Sequence, residues 1–140
     1  MGQSNKKRGT VDFGSTFLKY YSERFSDNTL EKIDDFIDHV EENGLHGWVG
    51  KVSPSNRVPE HYPDREALIE KANKYQLWHA HIGDPCFEDS WSGKYKVSDW
   101  VVHFQRFSNF HIKLLELDYH NPMTLPSEEL LQENDLESNT

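Results

Sequence analysis

The sequence predicts an α+β domain in which two N-terminal helices pack on a small antiparallel β-sheet. Three observations carry the prediction. Apolar residues recur at helical spacing between Phe17 and Val40, the period changes to two from Tyr75 to Ile82 with two more strand segments at Trp100–Phe107 and Phe110–Asp118, and helical segments precede the sheet. A length of 140 residues suits one domain with enough buried surface for one core.

Taken in order, residues 1–9 are polar and basic and are expected to be a disordered N-terminus. The single domain is expected over residues 10–126, followed by an acidic flexible tail over 127–140. Val11 and Phe13 can open a short strand. Phe17, Leu18, Tyr21 and Phe25 fall at helical spacing. Ser26-Asp27-Asn28 breaks that segment and supplies an N-cap for the next. There Leu30, Ile33, Phe36, Ile37 and Val40 form an apolar stripe, with Asp34, Asp35, Asp38 and Glu41 facing away, and Asn43-Gly44 is a stop. Five Gly and Pro residues between Gly47 and Pro63 predict a long loop over 45–66, and a short helix is expected from Asp64 to Asn73. From Tyr75 to Ile82 the period becomes two, with Trp78, Ala80 and Ile82 on one face and Leu77, His79 and His81 on the other. Residues 83–97 read as loop. Trp100–Phe107 and Phe110–Asp118 read as a hairpin around Ser108-Asn109.

Charge narrows the function. The net charge is -9, and Glu128, Glu129, Glu133, Asp135 and Glu137 follow His120 without a Lys or Arg. Such acidity argues against a general nucleic-acid binder, which needs a basic face, but leaves room for a small basic site. It also motivates a second class: an acidic, non-catalytic binding protein, such as an immunity protein or antitoxin-like inhibitor of a basic toxin. The lone Cys86 excludes an internal disulfide framework. No apolar segment reads as a secretory signal or a membrane span, so a cytoplasmic location without membrane contact is expected.

The chemistry-bearing residues crowd between Trp78 and His120. His79 and His81 leave the same face of one strand, a pattern suited to shared acid–base work or to part of a metal site. No nearby residue completes a zinc-like spacing, so neither metal nor cofactor is expected. The plain alternative makes both histidines half-exposed polar residues on the open face of a sheet. His103 and Gln105 share a face on the next strand and His111 and Lys113 on the last, so they can line a polar groove with Arg106 on the other face or at the rim. His120 trails the last strand. These residue types suit phosphodiester cleavage: a 2′-hydroxyl must lose a proton, a leaving oxygen must gain one, and phosphorane charge must be stabilised.

The order of these motifs resembles a known family. Phe36-Ile37-Asp38-His39-Val40-Glu41-Glu42-Asn43-Gly44 followed by Val49-Gly50-Lys51, then His79-Ala80-His81-Ile82-Gly83, is similar to the helix, Gly-basic pair and His-x-His strand of YafO-type toxins. Tyr95-Lys96-Val97-Ser98-Asp99 before Val101-Val102-His103-Phe104, and Leu114-Leu115-Glu116-Leu117 before His120, resemble that family's later strands. The resemblance covers residues 30–122. It implies a RelE-like fold and a toxin of a type II toxin–antitoxin system. Such a toxin is a ribosome-dependent mRNA endonuclease (an mRNA interferase), with the ribosome, mRNA and a cognate antitoxin protein as partners. Carried over by position, it implies His79, His81, Lys96 and His120 as catalytic and Asp99 as substrate-binding. The strand pattern adds His103, Arg106, His111 and Lys113 as further substrate-binding candidates.

Overall fold

The computed structural model describes residues 8–120 and 124–132. The elements follow in chain order: β1 (Thr10–Phe13), α1 (Ser15–Glu23), α2 (Asp27–Asn43), β2 (Val52–Pro54), α3 (Arg65–Lys74), β3 (Leu77–Asp84), β4 (Glu88–Asp89), β5 (Lys96–Val97), β6 (Trp100–Ser108) and β7 (His111–Tyr119), and residues 128–132 are again helical. Five strands form one sheet in the order β1-β7-β6-β3-β2, and β4 and β5 form a separate small ribbon.

This topology corrects the expected RelE-like fold of two N-terminal helices on a small antiparallel sheet. A strand comes before the helices, and it pairs parallel to the last strand, Thr10 opposite His111 through Phe13 opposite Leu114. The sheet is therefore mixed and larger than expected. The alternation at Val11 and Phe13 marked a strand, but nothing local names a parallel partner at the far end of the chain. Two expected loops also contain strands: β2 lies within 45–66, and β4 and β5 lie within 83–97.

Each face of the sheet has its own core. On the first face, Ala80, Ile82, Val102, Phe104, Ile112 and Leu114 meet Phe17 of α1 and Ile33, Phe36 and Val40 of α2. Helix α2 is set by its sequence at both ends. Ser26 Oγ accepts from the Thr29 amide at 3.3 Å, satisfying one of the free N–H groups of the first turn. Gly44 ends the helix at φ 72°, where a Cβ would meet the Asn109 carbonyl oxygen at 2.6 Å, so only glycine fits. On the second face, Leu77 and Leu115 pack with Ala72, Tyr75, Leu125, Leu130 and Leu131. Thus the start of the expected tail, Ser127–Gln132, is described, and it places two leucines in this second core. Residues 1–7 and 133–140, which complete the expected arm and tail, lie outside the described residues.

The alternation of β3 now has a physical reason. Its small and aliphatic positions meet α1 and α2, while Leu77, His79 and His81 point to the second face. That face is covered by apolar residues at one end only. The other end holds polar groups, and there the candidate site lies.

Candidate functional site

Four histidines converge on the second face. His79 and His81 come from β3, His103 from β6, where it sits opposite His79, and His120 from the residue after β7. Ring centroids are 4.6 Å apart for His81 and His120, 5.6 Å for His79 and His120, 6.1 Å for His79 and His103, and 6.5 Å for His79 and His81. Far from being half-exposed, His79, His81 and His103 are buried, and His103 is sealed from solvent. His120 is half-buried.

Two of the rings are anchored. His79 Nδ1 lies 2.9 Å from Ser55 Oγ, just beyond β2. His81 Nδ1 lies 2.8 Å from the Ser98 amide nitrogen and 2.9 Å from the Ser98 carbonyl oxygen. The Ser98 main chain can therefore partner either neutral tautomer of His81, because it offers one donor and one acceptor to the same nitrogen. Holding Nδ1 in this way leaves Nε2 of both rings for other work. His103 differs: among the described residues neither of its ring nitrogens has a hydrogen-bond partner, and Gln105 Oε1 is likewise unpaired, although its Nε2 donates to the Tyr75 carbonyl at 3.1 Å.

Lys51 supplies positive charge. The segment leading into β2 passes so close to β3 that a Cβ on Gly50 would lie 2.1 Å from the His81 carbonyl oxygen. This glycine allows the next residue, Lys51, to accept the His81 amide at 3.0 Å and to sit with Nζ 5.2 Å from the Tyr95 ring centroid. Burial pushes His79 down to about 3, helped by the neighbouring His103, His120 and His81 rings and by Lys51. Burial and then His120 hold His81 at about 4, and the Lys51 charge adds to this. Burial holds His103 at about 4 against the opposing pull of Asp118. Burial first and Lys51 second lower His120. The four rings are thus uncharged at neutral pH, beside one ammonium. Among the described residues, no set of three His, Cys, Asp or Glu side chains converges to hold a metal ion.

The cluster opens into a cleft of about 420 Å³. Buried His81 and Ser98 and half-buried His120 line it, and the exposed Glu88, Trp91, Asp99 and Tyr119 make up its outer, solvent-facing side.

The sequence-derived candidates separate into two groups. His79, His81, His103, His120 and Asp99 come together around the cluster and its cleft. The others lie apart. Lys96 pairs with Asp89 across the β4–β5 ribbon. His111 Nε2 is 2.7 Å from Asp12 Oδ2, next to the parallel β1 strand. Arg106 donates to Asn109 Oδ1 at 3.0 Å and lies over the Trp78 ring. Lys113 is buried opposite Gln105, so the expected open groove through Gln105 and Lys113 is filled. Sequence reasoning missed Lys51, Ser55, Ser98, Trp91 and Tyr119 as site residues. Gly50-Lys51 and Ser98-Asp99 carried a motif signal; Ser55 carried none, because its role depends on a contact 24 residues away.

No helix among the described residues is long and apolar enough to cross a membrane. No protein-family model matches the chain, no curated protein matches it, and no solved structure matches it.

Proposed function

We propose that this chain is a metal-independent endoribonuclease of the cytoplasm, cleaving RNA by acid–base chemistry at the His81–His120 pair. The observation that carries the reading is that pair itself: two uncharged imidazoles 4.6 Å apart, facing a cleft, with Lys51 close enough to lower both. A phosphodiester brings a negative charge that offsets Lys51 and favours protonation of a nearby ring. The pair then holds one proton. The neutral ring takes the proton of the ribose 2′-hydroxyl, and that oxygen bonds to phosphorus. The protonated ring gives its proton to the departing 5′-oxygen, leaving a 2′,3′-cyclic phosphate and a free 5′-hydroxyl. Lys51 stabilises the extra charge on the phosphorane oxygens. Ser98 holds His81 and Ser55 holds His79 while protons move.

A role as the toxin of a type II system, acting on ribosome-bound mRNA and held in check by an antitoxin protein, is supported by the motif resemblance alone. The test is cleavage of labelled single-stranded RNA in the presence of EDTA. Wild type should cleave, and His120→Ala should lose about 100-fold or more, the usual contribution of one acid–base group. Undiminished cleavage by the variant, or a strict need for a divalent cation, refutes the mechanism. Induced expression of both forms then tests the toxin role, which requires growth arrest with the wild type only.

A further inference from the structure

The outer cleft contains residues that the proton-transfer chemistry does not use. Trp91, in the turn between β4 and β5, has a relative exposure of 102%, so no packing in the fold requires an indole there. It nevertheless lines the same cleft as His81 and His120. Tyr119, half-exposed, also lines the cleft, and its ring stacks on Trp100 with centroids 4.1 Å apart and planes at 29°. That stacking fixes the Tyr119 ring in place before any ligand arrives. The formally charged side chains of the lining are two carboxylates, Glu88 and Asp99.

This composition is selective. Carboxylates repel a phosphate, which leaves the Lys51 side as the place for the anion. Flat aromatic surfaces accept the π-face of any base, so stacking alone is tolerant of sequence. Carboxylates only accept hydrogen bonds, so they favour base edges rich in N–H groups. Guanine presents N1–H and its 2-amino group side by side, matching the two oxygens of one carboxylate. Adenine and cytosine present an amino group beside an acceptor nitrogen. Uracil presents one N–H between two carbonyl oxygens.

Building on the RNA-cleavage reading of the inner pair, we propose that the outer cleft is a nucleobase subsite. The base stacks on Trp91 and Tyr119, and the carboxylates of Asp99 and Glu88 select it by its donors, guanine first and uracil last. RNA single strands are recognised in this way, by stacking together with hydrogen bonds to exposed base edges.

The experiment is calorimetric titration of the full chain with GMP, AMP, CMP and UMP, repeated on Trp91→Ala and Asp99→Asn, with cleavage of labelled RNA followed in parallel. GMP should bind at least about tenfold tighter than UMP. Trp91→Ala should lose about tenfold or more of the GMP affinity, within the range for one stacked base, with its thermal midpoint unchanged. Asp99→Asn should shrink the GMP-to-UMP ratio while keeping residual stacking affinity. Equal affinity for all four nucleotides, or GMP binding untouched by both substitutions, overturns the subsite. RNA cleavage that persists without base preference rejects the subsite and leaves the nuclease standing. Selective GMP binding without cleavage supports the subsite and rejects the nuclease.

Discussion

Replacing His103 by leucine is expected to stabilise the protein, and more so in acid. The ring is fully buried and both nitrogens lack a hydrogen-bond partner. A buried polar group without a partner costs about 1–3 kcal/mol, and an apolar group of similar size removes that cost. At pH 7 the variant should therefore gain about 1–3 kcal/mol. Acid adds a second effect. The unfolded ring binds a proton below its ordinary value of 6.5, whereas the folded ring holds off until about 4. Between those values the unfolded state carries the extra proton, so the wild type loses stability as pH falls. Moving from pH 7 to pH 5 should widen the variant's advantage by about 2 kcal/mol, at about 1.4 kcal/mol per pH unit below 6.5. Urea denaturation at the two pH values reads this directly, because a gain of this size moves the midpoint by roughly 1 M. A His103→Leu protein that is less stable at both pH values would refute the reasoning. It would mean that His103 finds partners in solution, such as an enclosed water.

Three further outcomes follow from the same geometry. Gly50→Ala places a methyl where only 2.1 Å separates it from the His81 carbonyl oxygen; it should destabilise by about 1–3 kcal/mol as an overpacking change and lower RNA cleavage, both measurable on one preparation. Leu131→Ala should cost about 2–5 kcal/mol in urea melts, because Leu131 is buried in the second core; a loss below about 0.5 kcal/mol, the scale of a surface change, would show that the C-terminal segment is not docked. NMR titration of His120 should give a value below 6.5 in the free protein, rising when inorganic phosphate is added; an unchanged value would remove phosphate from the proposed mechanism.

Much of the fold was legible because it follows local periodicity. Helix α2 could be read from its stripe of Ile33, Phe36 and Val40 between a Ser26 cap and a Gly44 stop, and the β6–β7 hairpin from its alternation. The architecture was not, because it depends on contacts between distant segments: the parallel pairing of β1 with β7, and the docking of Leu130 and Leu131 beneath β3 and β7. The site divided in the same way. His79 and His81 announce themselves by spacing of two, and His120 by its place after a strand. Which strand residues they would meet was hidden, since a one-residue register change moves a side chain to the other face. Between His103–Glu116 and Phe104–Leu114 the register slips by one, leaving Leu115 as an extra residue on β7, so that Leu114 and Leu117 both meet the first core while Leu115 enters the second. The value of Lys51 rested on Gly50, whose meaning appears only once His81 lies against it.

The pairing of the first strand with the last also sets the order in which the chain can assemble during synthesis. Asp12 and His111, joined across that pairing, are separated by 99 residues. Until β7 leaves the ribosome, β1 has no partner and the sheet face beneath α1 and α2 lacks Ile112 and Leu114. The early helices must wait with apolar surface uncovered, which slows folding and invites capture by a chaperone or a neighbouring chain. His120 arrives only after β7, so a chain truncated before that strand lacks both its sheet closure and one ring of the His81–His120 contact. Completion of the fold and acquisition of the site are, for this topology, one late event.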